Sequence, residues 1–437
     1  MRSVAAAGLV ACLGAVAGCG NTYRPVVATI GLVGPAGQPT KYAIAVSSPS
    51  PTSNGLMTMV DFSGDTVLVT ATLGVNPYYL VLNTSGTTGY TLNSDKTVTS
   101  FDISTSLISS QVLESTLLPG SNPVSLFAST LSSYIADPGI NAVDQLASTP
   151  PALKQELPIA SGYSPIYVVG QSGASRAYAI SQSTTGGAGQ VAAIETGDNT
   201  ISTTLPVGRG PVYGVMTLDD RRAFILNQTD GTVTVINVQN NALDTPLNTI
   251  PVGAQPVWAD LASGLDELVV ANKGNGSTPG SVTIVNIPLC SSSALPTNPN
   301  CDPTNPIDAT SFGQVVATVP VGINPIMVSV LSDYTRAYVA NAGNPSLPCS
   351  PNGVAVPGVS TTCTVSVVNL TSNTVTATIP ISGHPAYIAT SAASPTGKVY
   401  VVCNDSQQMT VIETDTDSID TTIPLQGYGV SVRMTQP

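Results

Sequence analysis

The stretch Ile250-Pro251-Val252-Gly253-Ala254-Gln255-Pro256 decides the architecture of this chain, because it is not unique. Close copies read Leu205-Pro206-Val207-Gly208-Arg209-Gly210-Pro211 and Val319-Pro320-Val321-Gly322-Ile323-Asn324-Pro325, with a variant at Ile379-Pro380-Ile381-Ser382-Gly383-His384-Pro385. Looser copies end at Pro77, Pro123 and Pro165, and an incomplete one at Gly429. Measured between these end points, the intervals are 46, 42, 46, 45, 69, 60 and 44 residues. A recurring unit of this size cannot bury its own apolar face, so it must stack on its neighbours.

Within one interval the strands are legible. After Pro211 come Val212–Met216, a turn at Asp219-Asp220-Arg221, then Ala223–Asn227, Thr229-Asp230-Gly231, and Thr232–Asn237. β-branched and small polar residues alternate with a period of two, and the Asp-Gly and Asn-Asn pairs supply the positive-φ positions of tight hairpins. Helix signals are nearly absent. Four short strands in about 45 residues describe one blade of a β-propeller. The expectation is an all-β, single-domain propeller of four-stranded blades, eight in number, with seven as the alternative if the region between Pro77 and Pro165 holds one blade fewer.

The two ends predict how the ring closes. Residues 41–46 have the phase of a second strand, 55–62 and 65–73 of a third and fourth, and 429–434 of a first. Pairing of 430–434 with 42–46 completes one shared blade and leaves no open edge.

Three segments resemble the YVTN-type β-propeller repeat. They are Tyr338-Val339-Ala340-Asn341 with Cys363-Thr364-Val365-Ser366-Val367-Val368-Asn369, Val269-Val270-Ala271-Asn272 with Ser281-Val282-Thr283-Ile284-Val285-Asn286, and Tyr400-Val401-Val402-Cys403-Asn404 with Met409-Thr410-Val411-Ile412. The similarity runs from about Pro165 to Pro424. It implies a secreted or surface propeller and no catalytic residue.

The N-terminus carries an export address. Residues 5–16 are apolar behind Arg2 but too short to span a bilayer. They end in Val16-Ala17-Gly18-Cys19, which resembles a bacterial lipobox. The expectation is a signal peptide over 1–18, lipidation of Cys19, a tether over 19–25 and the propeller over 26–437; an ordinary signal peptide is the alternative. Several acyl chains, at about 0.8 kcal/mol per buried methylene, anchor firmly. Gly20 is not the aspartate associated with inner-membrane retention, so an exported, envelope-anchored protein is expected, in the outer membrane where one exists.

Cysteine placement agrees with export. Cys12 lies in the leader. Cys290 and Cys301 fall in the first long interval, and Cys349 and Cys363 in the second, so inserts near 287–313 and 342–363 are each expected to carry a local disulfide worth roughly 3 kcal/mol. A zinc site lacks CxxC spacing and more than one histidine, so no metal is expected. Cys403, in an apolar strand, reads as a buried inert thiol.

Charge limits the partners. With 13 Lys+Arg against 25 Asp+Glu the chain is acidic, which argues against nucleic acid. The single histidine, His384, sits in a turn whose matching positions are Gly210, Gln255 and Asn324, so it reads as a turn side chain and excludes multi-histidine copper clusters. Asp219-Asp220 reads as a hairpin turn and not as a catalytic pair. Asp415 and Asp417 offer at most a minor calcium option. Trp258, the only tryptophan, follows Pro256-Val257 near the ring axis, where it either packs between blades or faces a ligand at the channel mouth.

No acid–base–nucleophile set is assembled, so the expected function is a non-enzymatic scaffold that uses no cofactor. It would bind a protein or polysaccharide at the cell surface through blade loops and the two inserts, with the axial channel idle and the membrane reached only through the lipid. The alternative is an enzyme or small-ligand or glycan binder acting at the channel mouth. Fold alone does not choose between them.

Overall fold

Eight antiparallel sheets follow one another along the chain of the computed structural model, each running from an inner strand to an outer one. The structure describes residues 41–103, 112–129, 132–148, 151–245, 247–290, 307–391 and 397–435. The leader, Cys12, Cys19 and the tether lie outside these residues. Among the described residues there is no helix.

Blade 1 combines 428–434 with 42–75; blades 2 to 8 occupy 77–116, 125–158, 163–209, 211–251, 256–323, 325–380 and 385–424. Eight blades therefore hold, and the region between Pro77 and Pro165 supplies two of them. Seven sheets have four strands, six of them in sequence order or its reverse, while blade 1 adds the last strand of the chain beside its Tyr42–Ser48 strand. In blade 5 the outer strand is broken into Ala242–Leu243 and Thr249–Pro251, both paired with Thr232–Asn237. The ring closes as expected: Tyr42–Ser48 pairs antiparallel with Tyr428–Met434, Ile44 opposite Arg433 and Val46 opposite Ser431.

The apolar residues meet between blades. One cluster joins Val269, Ala271 and Ile284 of blade 6 to Val328, Val339 and Val368 of blade 7. Another joins Ala43 and Ala45 of blade 1 to Tyr400, Val402 and Val411 of blade 8. Each sheet thus has two buried faces, which is why its strands read as near-continuous Val, Ile and Ala.

The repeat motif does its work at these seams. Asn93, Asn227, Asn272 and Asn341 end the second strands of four blades, and each side-chain amide donates to two hydroxyls of the third strand, as Asn341 does to Thr364 (3.1 Å) and Ser366 (2.9 Å). On these asparagines rest Gly74, Gly208, Gly253 and Gly322, where an added Cβ would come within 2.3–2.7 Å of the amide group. The glycine of Pro-Val-Gly is needed for close approach.

A second device clamps successive blades near the rim. Tyr134, Tyr178, Tyr338 and Tyr400 each donate a phenolic hydrogen bond to a turn residue of the next blade: Asn199, Asn241, Asp417 and Asp65. All four acceptors have positive φ, between 48° and 57°. Two residues before three of these tyrosines stands a cation. Arg336 pairs with Asp417 at 2.8 Å, Lys398 with Asp65, and Arg176 donates to the Val238 carbonyl of the next blade. In blade 6 Val269 stands where the tyrosine would be, and the turn residue facing that place, Asn373, keeps a buried Oδ1 with no partner among the described residues.

The two inserts differ. In the first, Cys290 is disulfide-bonded, while Cys301 lies outside the described residues. Its returning arm is part of the scaffold: Asp308 binds Arg222 of blade 5 at 2.9 Å, and Phe312 stacks on Phe224 with centroids 6.2 Å apart. In the second, Cys349 and Cys363 form the expected disulfide. Between them Val354, Val356 and Val359 stand exposed. Strand directions alternate within a blade, so the two inserts leave from opposite faces.

Candidate functional site

The innermost strand of each blade begins at the turn that the repeat motif marks. In six of them, which carry Pro77, Pro165, Pro211, Pro256, Pro325 and Pro385, the register slips by one residue after the proline. Such a bulge re-aims the next side chain. The residue two places after the proline then turns to the axis, and in five blades it is aromatic: Tyr79, Tyr167, Tyr213, Trp258 and Tyr387.

These rings line an axial cavity of about 580 Å³. Tyr213 stacks on Trp258 at 4.1 Å, Tyr167 tilts against Tyr213 at 4.8 Å, and Tyr387 meets Trp258 edge-on at 5.7 Å. Trp258 thus does both things its position allowed: it packs against the clusters of blades 6 to 8 and it faces the cavity. At the mouth stand Leu218, Ser332 and Tyr334, in turns between first and second strands.

Two residues further along the inner strands a second layer holds the cavity's charges. Asp260 comes from blade 6, and Arg433 from the closing strand of blade 1. Asp260 accepts the Leu261 N–H at 2.9 Å through Oδ1 and the Val330 N–H at 2.8 Å through Oδ2. Burial pushes its carboxyl up to about 6, against the pull of those two N–H groups and of Arg433. The Arg433 guanidinium lies 4.4 Å from the centre of the Tyr387 ring, and its Nε donates only a long bond, 3.4 Å, to the Leu80 carbonyl. No carboxylate forms an ion pair with it among the described residues. The Tyr387 hydroxyl is buried and has no partner among them either. Burial raises the phenols of Tyr79, Tyr167, Tyr213 and Tyr387 above their ordinary range, so all four are neutral at physiological pH.

Sequence reasoning placed Trp258 here and missed Asp260 and Arg433. The available signal was phase: both stand four residues after the turn marker, Pro256 in one blade and Gly429 in the other.

The other candidates have structural neighbours. Asp219 and Asp220 form the hairpin turn, with Asp219 accepting from Thr217 and Arg221 and Asp220 at a φ of 58°. Asp417 is engaged by Arg336 and Tyr338. His384 faces the Ala342 carbonyl through Nδ1 at 2.6 Å, and its N–H binds Asp405; with Cys349 and Cys363 it forms a group that could hold a metal only if the disulfide were reduced. It lacks the positive φ of Gly210, Gln255 and Asn324. Cys403 is a buried free thiol as expected, and burial, then Asp405, pushes its pKa up to about 12.

No family model matches the chain, and no curated protein matches it. Solved structures do. The dihydro-heme d1 dehydrogenase NirN superposes with a TM-score of 0.62 at 11% identity, over 90% of this chain and 74% of that one. Apo AztD from Citrobacter koseri gives 0.57 at 11% identity, over 90% and 97%. Hydrazine synthase from Kuenenia stuttgartiensis gives 0.52 at 15%, over 73% and 90%. At such identities these likenesses establish the β-propeller fold alone.

Proposed function

We propose that this protein is a non-enzymatic binding protein that holds a small organic ligand in the axial cavity. One observation carries the reading. The partly buried Arg433 guanidinium lies among aromatic rings with no carboxylate paired to it among the described residues, and such a group is costly unless something completes it. The volume and the apolar and aromatic walls with a few convergent polar groups are those of ligand sites. A nucleophile with an adjacent base is not assembled around Asp260 and Arg433, so binding accounts for the geometry better than turnover. Trp258 is the chain's only tryptophan and reports directly on the cavity. Screening small organic molecules against the exported protein by Trp258 fluorescence should find ligands whose binding Arg433→Gln weakens. Ligands that bind without perturbing Trp258 and without need of Arg433 would refute the reading.

The expected envelope address belongs to the same proposal. Cys19→Ser should abolish incorporation of a tagged fatty acid and release the protein from membranes.

A second reading, recognition of a protein or polysaccharide by the inserts, draws support from Val354, Val356 and Val359 at the tip of the disulfide-tied second insert. Replacing 344–361 by a short Asn-Gly turn should leave the propeller folded; loss of cell-surface partner binding with Trp258 fluorescence titrations unchanged would favour this reading over the first.

A further inference from the structure

Resting on the axial-cavity reading, we infer that the ligand is a planar organic monoanion, an aromatic or conjugated carboxylate. Its head group meets the Arg433 guanidinium, and its ring lies along the arc of Tyr213, Trp258 and Tyr387.

The charge follows from a contrast within the molecule. Arg176, Arg222, Arg336 and Lys398, the cations of the seams, all have carboxylate partners within 2.9 Å. Arg433 has a ring face and a distant carbonyl instead. A guanidinium offers a planar fork of donors that matches a carboxylate in two parallel bonds, and stacking on Tyr387 leaves the edge of that fork open. The buried Tyr387 hydroxyl supplies one more group within the same wall that lacks a protein partner among the described residues.

The planarity follows from the walls. Tyr167, Tyr213, Trp258 and Tyr387 contact one another in series, so the cavity is bounded by ring faces and edges that are already fixed by packing. Flat π systems gain stacking and edge contacts on such a wall beyond what an aliphatic body of equal area gains.

The single charge follows from Asp260, three blades round the ring from Arg433. Both of its oxygens are held by backbone N–H groups, so it stays on its own strand rather than swinging across to neutralise Arg433. The remaining ionisable groups of the wall are Tyr79, Tyr167, Tyr213 and Tyr387, all neutral, and Tyr334 at the mouth. Arg433 and Asp260 therefore set the field. When Asp260 is ionised it repels an anion, and when protonated it does not, so anion affinity should rise on acidification through about pH 6.

Isothermal titration of the full-length protein with four probes tests this: 2-naphthoate, 2-naphthamide, cyclohexanecarboxylate and 2-naphthylmethylammonium. At pH 5.5 the naphthoate should bind about tenfold tighter than the amide and the ammonium, the difference one charge-assisted pairing supplies, and tighter than cyclohexanecarboxylate, which has the charge but no flat ring to stack. Its affinity should fall between pH 5.5 and 7.5 while that of the amide stays level. Arg433→Gln should erase the preference for naphthoate over amide, and Arg433→Lys should retain part of it, which guards against mere misfolding. Equal affinity for amide or ammonium, or a preference that survives Arg433→Gln, would overturn the inference while leaving a cavity binder in place. The absence of heat with all four probes would overturn it too. Naphthoate binding undiminished in both Arg433→Gln and Trp258→Ala would instead overturn the cavity reading itself.

Discussion

Gly253 has no side chain because Asn272 occupies the space where one would be. A Cβ built on Gly253 comes within 2.6 Å of the Asn272 side-chain amide carbon, and the same relation joins Gly208 to Asn227 and Gly322 to Asn341. The two halves of the repeat signature, the glycine of the turn and the asparagine of the second strand, are thus one contact. Gly253→Ala must push that asparagine off its two hydroxyl partners, Ser281 and Thr283. We expect a loss of about 1–3 kcal/mol in denaturant melts. Gly197→Ala, where an added Cβ meets nothing within 4 Å, should be close to neutral.

Arg222 is 1% exposed and holds two carboxylates, Asp244 at 2.8 Å and Asp308 at 2.9 Å. Arg222→Met would leave both acids facing each other without the cation. Destabilisation of about 3–5 kcal/mol is expected at neutral pH. Burial and then Asp244 push the Asp308 carboxyl up to about 7, so the penalty should shrink at pH 5, where that acid takes up a proton. Melts of the variant at pH 5 and pH 8 check both parts.

Asp144 and Asp137 occupy blade 3 positions that hold a hydroxyl and an asparagine in blades 5 to 7. Burial, then Asp137 and Glu156, push the Asp144 carboxyl up to about 7, and neither of its buried oxygens has a hydrogen-bond partner among the described residues. An unfolded aspartate titrates near 3.9. The folded chain therefore holds this proton more tightly, and the resulting stability is complete below about pH 4 and lost as pH rises through about 7. The wild-type protein should be more stable at pH 5 than at pH 8, with Asp260 and Asp308 acting in the same direction. Asp144→Asn should flatten that difference by an amount on the order of 2 kcal/mol.

Closure rests on one strand. Removing residues after Gly427 deletes the partner of Tyr42–Ser48 and exposes the apolar edge of blade 1. The truncated chain should melt markedly lower and aggregate, and it should lose every ligand that depends on Arg433. An unchanged melting curve would contradict the closure.

Much of this architecture was legible because it is periodic. The interval between Pro-Val-Gly turns gives the blade, the phase of 41–46 against 429–434 gives the shared sheet, and its place just after Pro256-Val257 puts Trp258 near the axis. All of these are local: a strand's alternation and a turn's backbone demands are written in adjacent residues. What joins distant blades was not legible. That Tyr338 reaches Asp417, or that the returning arm of the first insert is tied down through Asp308 to Arg222, depends on how far one sheet is rotated against the next. That Asp260 and Arg433 line one cavity depends on more still. Each is an ordinary inner-strand residue until the bulge after the turn aims its strand inward and the last strand completes the first blade. Only the closed ring brings the two charges into one cavity, and only burial there raises the carboxyl.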